Sequence, residues 1–172
     1  MEMRKSVLIM LLMLVSALSV AQAAEYYTKH KGDKREGEAT ADSGLVYVFR
    51  PAITGAAIKT WSFADDQLLG VTRAKGYSFA LVPAGSRVIW SKAENTSAIE
   101  LEVEGGRTYY FKTAIRPGLS KARVKLVQIT EAEARKYLKK CSYCEPTEAG
   151  RARAAEIAAN RVEKAVRKAA KR

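Results

Sequence analysis

The chain has 172 residues and a formal net charge of +12, with 30 Lys and Arg against 18 Asp and Glu. That length favours one domain, and a 48% hydrophobic share is ordinary for a packed globular core. Two cysteines and one histidine are too few ligands for a structural zinc site. They also leave a Ser or Cys hydrolase without a positioned imidazole base, since His30 lies in a polar stretch.

The first residues carry Arg4 and Lys5, followed by an apolar run from Val7 to Val20 and then Ala21-Gln22-Ala23. A positive start, an apolar run and a small-residue exit predict a secretory signal peptide over residues 1–23. The apolar run falls short of the roughly 20 residues that a spanning helix needs. Cleavage would place Ala24 first, where a lipoprotein has Cys, so no lipid anchor is expected. No second long apolar run follows. The mature chain is therefore expected to be exported, periplasmic or extracellular, and soluble rather than membrane-spanning.

Residues 24–43, rich in charged and small side chains, read as a flexible leader. Leu45-Val-Tyr-Val-Phe-Arg50 is β-branched and aromatic, and Pro51 ends it. Ala57 to Phe63 alternates, Asp65-Asp66-Gln67 is a turn signal, and Leu68 to Thr72 is a short strand. Tyr77 to Val82, a turn at Pro83-Ala-Gly85, and Arg87 to Ser91 follow. In Ser97 to Val103, Ile99, Leu101 and Val103 face one way while Glu100 and Glu102 face the other. Gly105-Gly106 turns into Arg107 to Thr113, and Ala122 to Ile129 alternates again. About seven to eight short strands over residues 44–130, uninterrupted by helical pattern, predict a mainly β fold: a small antiparallel β-sandwich. Val46 or Tyr47, Leu69, Phe79, Ile89, Leu101, Tyr110 and Leu126 are expected to meet in one hydrophobic interior.

Beyond Ile129 the period changes. Thr130-Glu-Ala-Glu133 has the spacing of a capping box, in which the Thr130 hydroxyl and the Glu133 carboxylate would exchange bonds with each other's backbone N–H. It predicts a helix over 131–140, with Lys139 and Lys140 at its negative end. Residues 141–146 read as a break. Residues 147–172, rich in Ala, Arg, Lys and Glu and free of Pro, predict a second, basic helix as a tail, with Glu163 and Arg167 spaced for an ion pair.

The stretch from Leu45 to Ile129 resembles the bacterial domain of unknown function 2846 family. The resemblance is carried by Val46-Tyr-Val-Phe-Arg-Pro51, Leu69-Gly70, Tyr77, Val82-Pro-Ala-Gly85 and Gly106-Arg-Thr-Tyr-Tyr-Phe111. It implies a small β-sandwich, often on an exported or lipid-anchored envelope protein, and brings no catalytic residues. The basic tail lies outside it.

Three features bear on chemistry. Asp65 and Asp66 are neighbours in a turn, where side chains point apart, rather than acids facing across a cleft. Cys141 and Cys144 form a C-x-x-C pair read first as a structural disulfide between the two helices, with free thiols and a thiol–disulfide redox site as alternatives. The tail carries Arg151, Arg153, Arg161, Lys164, Arg167, Lys168, Lys171 and Arg172 on a helix with a thin apolar stripe. It would pack on the sandwich, pair with another copy, or present its charge to an anionic surface. The function expected is a non-enzymatic cell-envelope binding or scaffolding module attracted to anionic lipid headgroups, acidic glycan or an envelope protein. Neither a cofactor, a metal nor a nucleic acid is expected, and the redox protein is the alternative.

Overall fold

The structure, a computed structural model, describes residues 25–116 and 123–169, and side chains as far as Glu163. The signal peptide expected over residues 1–23 lies outside the described residues. The strands are β1 (Tyr27–His30), β2 (Ser43–Arg50), β3 (Thr60–Ala64), β4 (Gln67–Thr72) and β5 (Gly76–Pro83). They continue with β6 (Gly85–Lys92), β7 (Thr96–Val103), β8 (Thr108–Arg116) and β9 (Arg123–Gln128). Helix α1 (Glu131–Lys140), β10 (Ser142–Pro146) and helix α2 (Glu148–Ala169) complete the order. No helix among the described residues is long and apolar enough to cross a membrane.

The strands form two sheets. One is six-stranded in the order β1-β10-β5-β2-β8-β9, and the other is four-stranded in the order β4-β3-β6-β7. Their facing sides enclose Val46, Val48, Leu69, Val82, Ile89, Phe111 and Leu126, so the β-sandwich is present. It is not wholly antiparallel. β2 pairs parallel with β8, from Leu45↔Thr108 to Phe49↔Lys112, and β10 pairs parallel with β5. After β5 the chain crosses to build the β6–β7 hairpin in the other sheet. β8 therefore returns to β2 by a crossover, which frees it from the direction a tight hairpin imposes. At the far side, Asn95 just before β7 and Ser97 within it tie the β9 edge: the Asn95 amide donates to the Val124 carbonyl at 3.0 Å, and the Leu126 N–H donates to Ser97 Oγ at 3.1 Å.

A helix covers the outer face of each sheet. In β2 successive residues alternate sides, and both sides are buried. Val46 and Val48 point between the sheets, while Leu45, Tyr47 and Phe49 point outward under α1, with Tyr77, Ala134 and Cys141. The single interior expected from sequence is thus two. Val46, Leu69, Ile89, Leu101 and Leu126 lie between the sheets, and Tyr47, Phe79 and Tyr110 lie beneath α1. The register of β7 is as alternation predicts: Ile99, Leu101 and Val103 turn inward, and Glu100 and Glu102 are exposed.

The cap of α1 forms by half. The Thr130 hydroxyl accepts from the Glu133 N–H at 3.3 Å. The Glu133 carboxylate does not complete the reciprocal box, because Lys112 Nζ and the Tyr137 hydroxyl both donate to it at 2.6 Å. Those bonds, from Lys112 first, hold the Glu133 carboxyl below its ordinary range.

The leader expected to be flexible is built into the fold. β1 pairs antiparallel with β10, from Tyr27↔Pro146 to His30↔Tyr143, so the predicted break at 141–146 is also a strand. Neither segment has an alternating apolar face, and each becomes a strand because the other supplies its ladder. Further along, the Gly37 N–H donates to the Tyr47 hydroxyl at 2.9 Å, and the Tyr77 hydroxyl donates to the Arg35 carbonyl at 2.7 Å. Residues 35–37 thereby satisfy two phenols of the aromatic face that burial would otherwise leave unpaired.

Candidate functional site

The tail is the main candidate, and the structure shows how it is held. Trp61, Phe63, Val71 and Trp90 project from the outer face of the four-stranded sheet, and Ala154, Ile157 and Ala158 of α2 cover them. Phe63 and Trp90 are opposite in register and stack with centroids 4.1 Å apart. Alanines at the contact let the helix backbone approach these large rings closely. At its start α2 is fixed to the N-terminal segment. The Thr147 hydroxyl donates to the Glu25 carbonyl at 2.6 Å and accepts from the Gly150 N–H at 3.1 Å. A Cβ on Gly150 would stand 2.0 Å from the Tyr26 carbonyl oxygen, so no larger residue fits at that approach.

Of the eight cationic tail residues singled out from sequence, Arg151, Arg153 and Arg161 have described side chains. Arg151 and Arg153 are exposed, and Arg153 pairs with Glu156 one turn on. Arg161 does not project freely: its guanidinium lies over the Trp90 ring, 4.5 Å from the centroid, as a cation–π contact. Lys164, Arg167, Lys168, Lys171 and Arg172 lie outside the described side chains, as does the expected Glu163–Arg167 pair. Beside Arg161 a cavity of about 390 Å³ is lined by Asp65, Asp66, Val88, Ala158 and Val162. Asp65 itself belongs to a turn, with φ 51°. Its Oδ1 accepts from the Val88 N–H at 2.9 Å, and its carbonyl accepts from Trp90 Nε1 at 2.6 Å. Asp65 and Asp66 are thus the turn that the sequence predicts.

The disulfide expected between Cys141 and Cys144 is absent, and both are free, buried thiols. Cys141 caps α1 and faces the aromatic layer beneath it, whereas Cys144 belongs to the cluster under α2. An odd spacing along extended backbone sends side chains to opposite faces, which separates the two sulfurs despite their closeness in sequence. Burial pushes each thiol from an ordinary 9.0 up to about 11. The nearby Lys29 and Lys34 pull the other way without offsetting it. Such an environment holds the thiols protonated near neutral pH, the reverse of an activated nucleophile.

One notable residue escaped the sequence reading. Arg50 is fully buried, with no carboxylate partner among the described residues. Its Nη1 donates to the Ile58 carbonyl at 2.7 Å and to Thr60 Oγ1 at 3.0 Å. Nη2 donates to the carbonyls of Thr54 and Gly55 at 3.0 and 2.8 Å. Burial, with the charge of Arg73 nearby, pulls its pKa below the ordinary arginine value. The guanidinium replaces backbone partners for the loop over 51–59, a structural task. The signal for it was an Arg closing an apolar strand just before Pro51.

A second cavity, of about 460 Å³, opens between the leader and α1, lined by Lys34, Glu36, Arg135, Leu138 and Lys139. Sequence reading missed it as well, because its two walls lie about 100 residues apart and are brought together by the β1–β10 pairing and the leader's bonds to Cys141, Tyr47 and Tyr77. Among the described residues, no group of three or more His, Cys, Asp or Glu side chains is placed to hold a metal ion.

The model of a family described as protein of unknown function (DUF2846) matches residues 40–125. An uncharacterized protein of Haemophilus influenzae is 23% identical over 129 residues, covering 74% of this chain and 76% of that protein. No solved structure matches significantly.

Proposed function

This chain belongs to the DUF2846 family, and on that premise we propose that it is an exported, non-enzymatic binding or scaffolding module of the cell envelope. Its basic tail helix meets an anionic surface, either lipid headgroups or acidic glycan. The observation that carries the reading is the seating of α2. Its apolar residues Ala154, Ile157 and Ala158 are used up against the sheet, while Arg151 and Arg153 stay exposed. A helix held by one face displays its charge in a fixed place, and among the described residues Val162 is its one large apolar side chain left exposed, too little to anchor it in a membrane. Charge attraction of this kind acts at the surface and weakens with salt. The N-terminal pattern of Arg4, Lys5, apolar run and Ala21-Gln22-Ala23 supplies the address.

Deleting residues 147–172 would be a poor test, because it also strips the cover from Trp61, Phe63 and Trp90. Charge reversal at Arg151 and Arg153 leaves that contact intact. The protein should co-sediment with vesicles of phosphatidylglycerol and phosphatidylethanolamine at low salt and release as salt rises. The variant carrying Arg151→Glu and Arg153→Glu should be retained less. Equal retention of the two proteins, on vesicles and on an acidic polysaccharide resin alike, would contradict the proposal.

A further inference from the structure

The cavity between the leader and α1 lies on the opposite side of the sandwich from α2, since α1 covers the six-stranded sheet and α2 the four-stranded one. Its volume of about 460 Å³ suits a small ligand, for which cavities of roughly 300–1,000 Å³ are usual. The walls are positioned rather than loose. Lys34 of the leader donates to the carbonyl of Cys141, the residue that caps α1. Arg135 is held through Nε by Glu131 at 2.9 Å. Lys139 follows Arg135 by four residues, so both lie on one side of the helix with Leu138 next to them. The Lys139 side chain makes no hydrogen bond or ion pair with the described residues. The one carboxylate in the lining, Glu36, is close enough to Tyr47, Tyr77 and Tyr110 that its charge raises all three phenols, although burial is their largest cause.

We propose that this cavity binds a sugar acid, meaning a ring-sized hydroxylated molecule that carries a carboxylate or a phosphate. With Arg135 paired to Glu131, Lys34 and Lys139 still outnumber Glu36, and that balance selects an anion. A bare inorganic anion would leave the Leu138 wall uncovered and would face Glu36 with like charge. A sugar acid answers both conditions: its acid group meets Lys139 and Arg135, its hydroxyls donate to Glu36, and its ring covers Leu138. The inference stands apart from the reading of the tail, which uses other residues on the other face.

The test is titration calorimetry of the intact mature protein with glucuronate and glucose 6-phosphate, with glucose and inorganic phosphate as comparators. Both acids should bind saturably, and the comparators more weakly. Lys139→Gln should weaken glucuronate at least about fivefold, as the loss of a charge-assisted bond implies. Lys139→Glu should abolish binding, whereas Lys125→Gln on β9 should leave it unchanged. Lys139 is exposed, so melting curves should not move. A uronate tetramer that binds more tightly than the monosaccharide would assign the source to a glycan chain, and equal affinity would assign it to a single sugar group. Absence of saturable binding by both acids, inorganic phosphate binding as well as they do, or an unaltered affinity in Lys139→Glu would each overturn the proposal. Charge reversal at Arg151 and Arg153 should not alter glucuronate binding, so this site and the tail surface fail or stand separately.

Discussion

The two outer faces of the sandwich are covered by helices in different ways. Under α1 the rings are mostly tyrosines and phenylalanines, namely Tyr47, Phe49, Tyr77, Phe79, Tyr110 and Tyr137. The hydroxyls of Tyr47 and Tyr77 find partners in the leader backbone, and that of Tyr137 in Glu133. Under α2 the rings are Trp61, Phe63 and Trp90, with Trp90 Nε1 bonded inside its own sheet, so the cover can consist of small apolar residues. One face therefore depends on polar contacts from residues 35–37 of the leader, and the other on close approach of an alanine-bearing helix whose start is fixed by Glu25 and Tyr26. The cavity lined by Lys34, Glu36 and Arg135 therefore lies beside α1, where the leader crosses the aromatic face.

The contrast is broken most severely at Trp90. Trp90→Ala removes the ring that stacks on Phe63 and supports Arg161, and should cost about 3–5 kcal/mol in denaturant unfolding. It should also expose α2 to trypsin while leaving cleavage at Lys34 and Arg35, in the part of the leader that lies on the other face, unchanged. If the leader and α2 are released together, the two covers are not independent. Leu101→Ala tests the layer between the sheets. Leu101 is half-buried, so the loss should fall near about 2 kcal/mol, the low end for such truncations. Glu100→Ala on the same strand should stay within about 0.5 kcal/mol. A larger effect from Glu100 would mean that β7 is shifted by one residue.

Tyr77→Phe sharpens the comparison on the other face. It deletes the hydroxyl that donates to the Arg35 carbonyl and should cost about 1 kcal/mol. Amide exchange should quicken in the leader and not in α2. The smallest effect concerns the thiols. Both have folded pKa values raised from 9.0 to about 11, so their contribution is complete below pH 9 and is lost as pH rises through 11. The variant carrying Cys141→Ala and Cys144→Ala should show a shallower fall of stability over that window. In the native protein, iodoacetamide should label neither thiol at pH 7.5 until denaturant is added. Rapid labelling there, with turnover in an insulin-reduction assay, would instead favour the redox reading.

How much of this was legible depends on where each element gets its partner. β7 could be read because Ile99, Leu101 and Val103 alternate with charges, and α1 because Thr130 marks its start. β1 and β10 could not: Tyr-Thr-Lys-His and Ser-Tyr-Cys-Glu-Pro have no apolar face of their own and are strands by mutual pairing. The doubly buried β2 showed as a continuous apolar run, a hint of a covered outer face that its alternation alone hides. Trp61 and Phe63, set opposite the inward Ser62, carried the same hint for the second sheet. The seating of α2 was hidden because alanines look neutral in sequence and become contacts only where large rings wait for them. The two cavities depend on such long-range pairings, and so their residues did not stand out.

The central claim is that the basic tail is a seated part of the domain, which fixes where its charge is displayed. Hydrogen exchange of the α2 amides in the free protein tests it most directly. Docking predicts that amides around Ala154 to Ala158 are protected to nearly the same degree as the sheet beneath them, and that Trp90→Ala abolishes this protection. Exchange over that segment as fast as in an isolated peptide of residues 147–172, in the unaltered protein, would contradict the account.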